Sequence, residues 1–154
     1  MKNLMVTFGG IDNDNLTGQA LDVLKDSPLP KDCRITIVVG TKVPWLNTLK
    51  RVAQGLPWPT RVLINVSQMA HIMMDSDLCI GSAGSTSWER CCLGLPTLMM
   101  ILSSNQQEIA WALEQKKAVI ILSEASDIKD NIDIINLVSQ IVAYGSDEHK
   151  PVED

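Results

Sequence analysis

The residues best suited to chemistry lie in one stretch, Asp77 to Pro96, DLCIGSAGSTSWERCCLGLP. A short apolar strand, Leu78 to Ile80, runs into a Gly-rich polar turn, Gly81 to Gly84, and a helix is expected to open at Ser85 or Thr86 with Glu89 one turn in. The first N–H groups of a helix lack intrahelical partners, and aligned peptide dipoles place about half a positive charge there, so a phosphate suits the position. Gly81 and Gly84 let the backbone bend and approach a ligand, while Ser82, Ser85 and Thr86 offer hydroxyl donors. A carboxylate at Glu89 would be repelled by that anion unless it faced something else, and a ribose diol is the obvious partner. The competing reading is an ordinary helix start: Ser85 to Trp88 as a cap and Glu89 as a first-turn acid would equally serve a helix that binds nothing.

The elements that would position this stretch follow from the pattern of apolar residues. Asn3 to Phe8 reads as a strand that ends in Gly9-Gly10 before a helical pattern at Leu16, Ala20, Leu21 and Leu24, with Asp14 or Asn15 as its cap. This is a second strand, Gly turn and helix start. Parallel strands present their C-terminal ends on one edge, so the two turns can converge on one ligand. Arg34 to Gly40 is a continuous apolar strand of the kind covered on both faces by helices, and Arg61 to Asn65, Thr97 to Ile101 and Ala118 to Leu122 are further strands. Helices are expected from Pro44 to Gln54, from Met69 to Met74 with Ser67 as cap, after Ser103, and from Asp127 to Tyr144. Asn105, Gln106 and Gln107 stand at the strand-to-helix junction after Ile101, where their amides could bond hydroxyls or an acetamido group, or simply form a polar first turn. Six strands alternating with helices predict a single α/β domain with a mostly parallel sheet over residues 1–145, followed by a frayed, charged tail at 146–154.

Composition narrows the function classes. Hydrophobic residues make up 45% of 154 residues, enough for a sizeable core, and the net charge of −5 without any basic run argues against a nucleic-acid surface. Cys33, Cys79, Cys91 and Cys92 lack zinc-site spacing and read as small core residues of a reducing cytoplasm. No apolar run reaches membrane-spanning length and no signal peptide is recognisable, so a cytoplasmic location is expected. The methionines at 69, 73 and 74 are spaced to pack inward, and Trp45 and Trp58 are expected to cap the layers. His71 and His149 belong to no metal cluster or triad, so no catalytic residue, metal or cofactor is assigned.

The stretches VTFGGIDNDNLTGQAL and NVSQMAHIMMDSDLCIGSAGSTSWERCCLGLPTLMMILSSNQQEIAWAL together resemble the C-terminal half of the bacterial hydrolases that cleave UDP-2,4-diacetamido-2,4,6-trideoxy-β-L-altropyranose in pseudaminic acid synthesis. Those enzymes are in turn similar to the peptidoglycan UDP-N-acetylglucosamine transferase, a glycosyltransferase of the B type. The resemblance runs from Leu4 to about Tyr144 and rests on the combination of FGG, GSAGSTSWER, GLP and NQ. It implies a three-layer Rossmann-like domain of the glycosyltransferase-B C-terminal kind that binds a UDP-sugar. The loop Asn65-Val66-Ser67 would meet uracil, Gly9, Gly10, Gly84, Ser85 and Thr86 the diphosphate, Glu89 the ribose, and Asn105, Gln106 and Gln107 the sugar. The hydrolases also share an N-terminal domain with a G-x-G-H-x-x-R type motif, whose histidine is thought to activate water. That motif does not occur here, so the chain is expected to be the nucleotide-sugar half of an enzyme whose other domain is its partner. A UDP-sugar glycosyltransferase and a non-catalytic UDP-sugar-binding partner are the alternatives.

Overall fold

A computed structural model describes residues 1–84, 86–124 and 136–140. Its sheet contains six strands: β1 (Asn3–Thr7), β2 (Arg34–Val39), β3 (Thr60–Ile64), β4 (Leu78–Ser82), β5 (Thr97–Ile101) and β6 (Val119–Glu124). Between them run α1 (Leu16–Leu24), α2 (Leu46–Gln54), α3 (Met69–Met74), α4 (Ser87–Cys92) and α5 (Ser104–Gln115). The strand order is β3-β2-β1-β4-β5-β6 and every pairing is parallel, so the mostly parallel sheet expected from the sequence is wholly parallel.

Strand side chains alternate between faces, and the core divides accordingly. Leu4 and Val6 of β1, Ile35, Ile37 and Val39 of β2, Leu78 and Ile80 of β4, and Leu98 and Met100 of β5 join one cluster with α1, Leu49 and Ala53 of α2, and Val138. The residues between them point the other way. Met5, Val38 and Cys79 pack with Ile72 and Met73 of α3, while Met99 and Ile101 pack with Ala110 and Leu113 of α5. This two-sided burial is why RITIVV and TLMMI are nearly unbroken apolar runs.

Several boundaries differ from expectation for local reasons. β4 continues through Gly81 and Ser82, which pair with β1 and β5, so the turn proper is Ala83–Gly84. The helix after it opens at Ser87, not at Ser85 or Thr86, because Ser87 closes back onto Gly84 through both its N–H (3.0 Å) and its hydroxyl (2.6 Å). Gln68, not Ser67, precedes α3, and α2 begins at Leu46 behind Trp45. Met74 is exposed, since it falls off the buried side of so short a helix. Cys92 is exposed as well, while Cys33 and Cys79 are core residues and all four thiols are free. Residues 136–140 are helical; the remainder of the expected last helix, the tail at 146–154 and Ser85 lie outside the described residues.

Candidate functional site

The crossover from β3 through α3 to β4 carries the chain from one side of β1 to the other, which makes the gap between β1 and β4 the point where strand order reverses. Loops leaving the carboxyl ends of two such strands diverge and leave a crevice. A cavity of about 320 Å³ occupies that place. Its first wall is the end of β1 with Gly9 and Gly10, its floor includes Val39 and Gly40 after β2, and the loop after β3 contributes Asn65 and Val66. Ser82, Gly84 and Thr86 form the opposite wall, and Gln106 of α5 closes one end.

Gly9 sits at φ 88°, a backbone conformation that L side chains rarely adopt, with open space around it. Gly10 is fixed by Gly40, whose own missing side chain allows the two backbones to touch: a Cβ at Gly40 would lie 2.1 Å from the Gly10 carbonyl oxygen. The helix that follows this loop is already satisfied from within. Buried Asp12 accepts hydrogen bonds from the Leu16 and Thr17 N–H groups and from the Thr17 hydroxyl, and the Asn15 side chain accepts from Gly18 N–H. The α1 terminus is thus neutralised by the chain's own carboxylate, and the first Gly turn offers the cavity only its backbone.

On the other wall, the hydroxyls of Ser82 and Thr86 make no hydrogen bond to a described residue, although both residues line the cavity. Gly81, expected to help the backbone approach a ligand, serves packing: a Cβ there would come within 2.4 Å of the Thr7 carbonyl oxygen and 2.7 Å of Arg90 Nη1. Gln106 accepts a hydrogen bond from Leu102 N–H through Oε1 at 3.0 Å, which orients its NH₂ group as the donor beside Gly84.

The cavity therefore brings together Gly9, Gly10, Val66, Gly84, Thr86 and Gln106 from the residues singled out in the sequence. Glu89 is exposed on α4, Asn105 is exposed and bonded to the Ser103 hydroxyl, and Gln107 is half-buried; none of the three lines the cavity. Asn65 lines the cavity as part of the loop expected to meet uracil, whereas Gly40, Met69 and Arg90 were not anticipated at the site. A strand ending in glycine signalled Gly40, and Asn at a strand end signalled the left-handed φ of 51° at Asn65. Arg90 is the more unusual case, because it is 1% exposed inside the site's supporting layer.

Thiols in the core have little acidity. Burial pushes the Cys79 thiol up, against the lowering effect of the Arg90 guanidinium beside it, and burial pushes Cys33 up to about 11. A larger cleft, about 530 Å³, lies at the opposite, amino-terminal edge among Arg34, Thr36, Arg61 and Asp75. It has no Gly turn, and the diverging loops of the strand-order reversal open at the other edge, so its size does not make it the better site. Among the described residues no group of three or more His, Cys, Asp or Glu side chains could hold a metal ion, and no helix is long and apolar enough to cross a membrane.

Residues 3–150 match the model of the glycosyltransferase family 28 C-terminal domain. The chain belongs to that family. It is 32% identical over 109 residues to the uncharacterized protein MJ1062 of Methanocaldococcus jannaschii, covering 70% of this chain and 22% of that protein. It is also 24% identical over 143 residues to the spore coat polysaccharide biosynthesis protein SpsG of Bacillus subtilis, covering 93% of this chain and 42% of that protein. The chain thus spans less than half the length of either relative. Acinetobacter baumannii MurG shares the fold with a TM-score of 0.72 at 18% identity, over 94% of this chain and 41% of MurG. A UDP-GlcNAc 2-epimerase from Neisseria meningitidis, solved with UDP-GlcNAc bound, superposes with a TM-score of 0.61 at 16% identity, over 94% of this chain and 37% of the epimerase. The architecture is that of a glycosyltransferase-B C-terminal domain.

Proposed function

We propose that this chain is the UDP-sugar-binding domain of an enzyme that breaks the bond between a sugar and UDP. The observation that carries the reading is the convergence of Gly9, Gly10, Val66, Gly84, Thr86 and Gln106 on one crevice at the strand-order reversal. Uracil lies against the Asn65-Val66-Ser67 loop, the diphosphate meets Gly9, Gly10, Gly84, Ser85 and Thr86, and Glu89 reaches the ribose from α4. Gln106 faces the sugar from the end of the crevice, and Asn105 and Gln107, outside the crevice at the start of the same helix, meet it where it extends beyond. SpsG by its name serves polysaccharide biosynthesis, and the Neisseria epimerase was solved with a UDP-sugar, which agrees with this class of ligand.

In the hydrolase reading, water attacks the anomeric carbon, the bond to the diphosphate oxygen breaks, and UDP leaves with the electron pair. This domain holds the leaving group, where donors aimed at the departing oxygens stabilise the charge that develops there. A second domain supplies the group that takes the proton from water. The substrate is a UDP-2,4-diacetamido-2,4,6-trideoxy hexose of pseudaminic acid synthesis. Membership of a glycosyltransferase family favours a second reading, in which the same donor site serves transfer to an acceptor hydroxyl.

The test is a product assay on the longer protein containing this domain, given UDP-2,4-diacetamido-2,4,6-trideoxy-β-L-altropyranose with and without acceptors. UDP and free sugar formed without acceptor support hydrolysis; release only when an acceptor is present supports transfer. No turnover of any UDP-sugar, despite binding, leaves a non-catalytic binding partner.

A further inference from the structure

Arg90 is buried as a cation with no anion beside it among the described residues. Its Nη2 donates to the Ser82 carbonyl oxygen at 2.5 Å and to the Ser87 hydroxyl at 2.9 Å, and its Nη1 donates to Cys79 Sγ at 3.6 Å. Its Nε has no partner among the described residues. All these acceptors are neutral, and the one ion pair among the described residues is Lys25 with Asp22, on the surface. A guanidinium does not shed its proton to escape burial, so the charge stays and is costly unless something offsets it.

Two features show what the charge is built around. Gly81 keeps the room clear, since a Cβ there would lie 2.7 Å from Nη1. Two carbonyls on either side of Ala83 are also occupied from inside: Ser82 by Arg90, and Gly84 by the hydroxyl and N–H of Ser87. Carbonyl oxygens facing the cavity would repel an anion. Held inward by Arg90 and Ser87, those of Ser82 and Gly84 leave this wall with the Ser82 and Thr86 hydroxyls and the field of the cation behind it.

We propose that Arg90 is a positioning residue for a phosphate-bearing ligand: it braces the Ser82–Gly84 turn, and its unpaired charge is balanced by the phosphates of the nucleotide in the crevice. The inference rests on the UDP-site reading above and adds the residue that sets its preference for charged over uncharged uridine compounds. Ser87 is the second brace, acting between Arg90 and Gly84.

The test compares UDP and uridine by calorimetric titration of the full chain, its Arg90→Lys variant and its Arg90→Met variant, with circular dichroism to confirm folding. Arg90→Met is expected to lose about tenfold or more in UDP affinity, as removal of charged hydrogen bonds does, with uridine changed by less than about twofold. Arg90→Lys, which keeps the charge and part of the bracing, is expected to recover some of the loss. In the wild-type chain, UDP but not uridine is expected to shift the Arg90 Nε–H resonance, a readout that needs no variant to fold. An unmoved resonance, or folded variants that keep the wild-type ratio of UDP to uridine affinity or lose both ligands equally, would overturn the assignment. Absence of any UDP preference in the wild-type chain removes the pocket reading and this inference together. A wild-type preference that survives in the folded variants removes Arg90 alone.

Discussion

Gly40 and Gly10 are in direct backbone contact, so the two loops that end β1 and β2 are a single packed unit beneath the crevice. A Cβ at Gly40 would lie 2.1 Å from the Gly10 carbonyl oxygen and 2.7 Å from its Cα, and backbone cannot swing aside as a flexible side chain can. Gly40→Ala should therefore cost about 1–3 kcal/mol, as other overpacking substitutions do, and displace the Gly9–Gly10 wall. Urea denaturation would give the first quantity and UDP titration the second. Gly10→Ala, with open space at its Cβ position, is expected to retain stability and affect only the ligand. Equal stability of Gly40→Ala and wild type would show that the loops are not coupled.

Gln106 is oriented by its Oε1 bond from Leu102 N–H, which leaves NH₂ as the group for a ligand. Gln106→Glu can keep that bond but loses both donors proposed for the sugar, and it adds a negative charge next to Gly84, where it would repel the proposed diphosphate of UDP itself. UDP affinity is expected to fall by about 1.5–3 kcal/mol, the range for hydrogen bonds involving charge, while the melting temperature stays close to wild type. A folded Gln106→Glu variant that binds UDP normally would place the ligand elsewhere.

Glu89 is exposed, so its removal should leave the fold intact. Glu89→Ala is expected to weaken UDP by about 1–3 kcal/mol through lost charged hydrogen bonds to the ribose, and to have much less effect on 2′-deoxy-UDP. Thr86→Ala, by contrast, should weaken UDP more than uridine. The same loss for UDP and its deoxy analogue in Glu89→Ala would separate that carboxylate from the ribose.

Stability in alkali should report Cys33. Burial pushes its thiol from an ordinary value of 9.0 to about 11, so between those values the unfolded chain has released a proton that the folded chain retains. Unfolding then becomes more favourable as pH rises, by up to about 1.4 kcal/mol per pH unit, with the full stability present below pH 9.0. Cys33→Ala should flatten that part of the stability curve. At neutral pH, iodoacetamide should label exposed Cys92 first and reach Cys33 and Cys79 only on unfolding. Early labelling of Cys33 would contradict its burial.

Much of this architecture was legible because parallel strands covered on both faces leave apolar runs that nothing else in the chain imitates. RITIVV and TLMMI identified β2 and β5, and the Gly turns after β1 and near β4 marked the edge where ligands gather. The extent of β4 was not legible, because Gly81 and Ser82 look like turn residues. They are strand because Gly81 pairs with Thr7 and makes room for Arg90. Arg90 itself was invisible for a related reason: an arginine on a short helix next to a glutamate reads as surface, and its burial depends on acceptors supplied by Ser82 and Cys79 eight and eleven positions away. Gly40 and Asp12 likewise owe their roles to contacts with the glycine loop and the α1 terminus, which local periodicity does not encode.

The most direct test of the central claim is a titration of this chain with UDP, and separately with ADP, followed by backbone amide shifts in NMR. UDP bound in the crevice should shift amides concentrated at Gly9, Gly10, Val66, Thr86 and Gln106, and should do so at lower concentration than ADP. Amides that stay unmoved at those positions with millimolar UDP, or that move instead around Arg34 and Arg61 at the opposite edge, would contradict it.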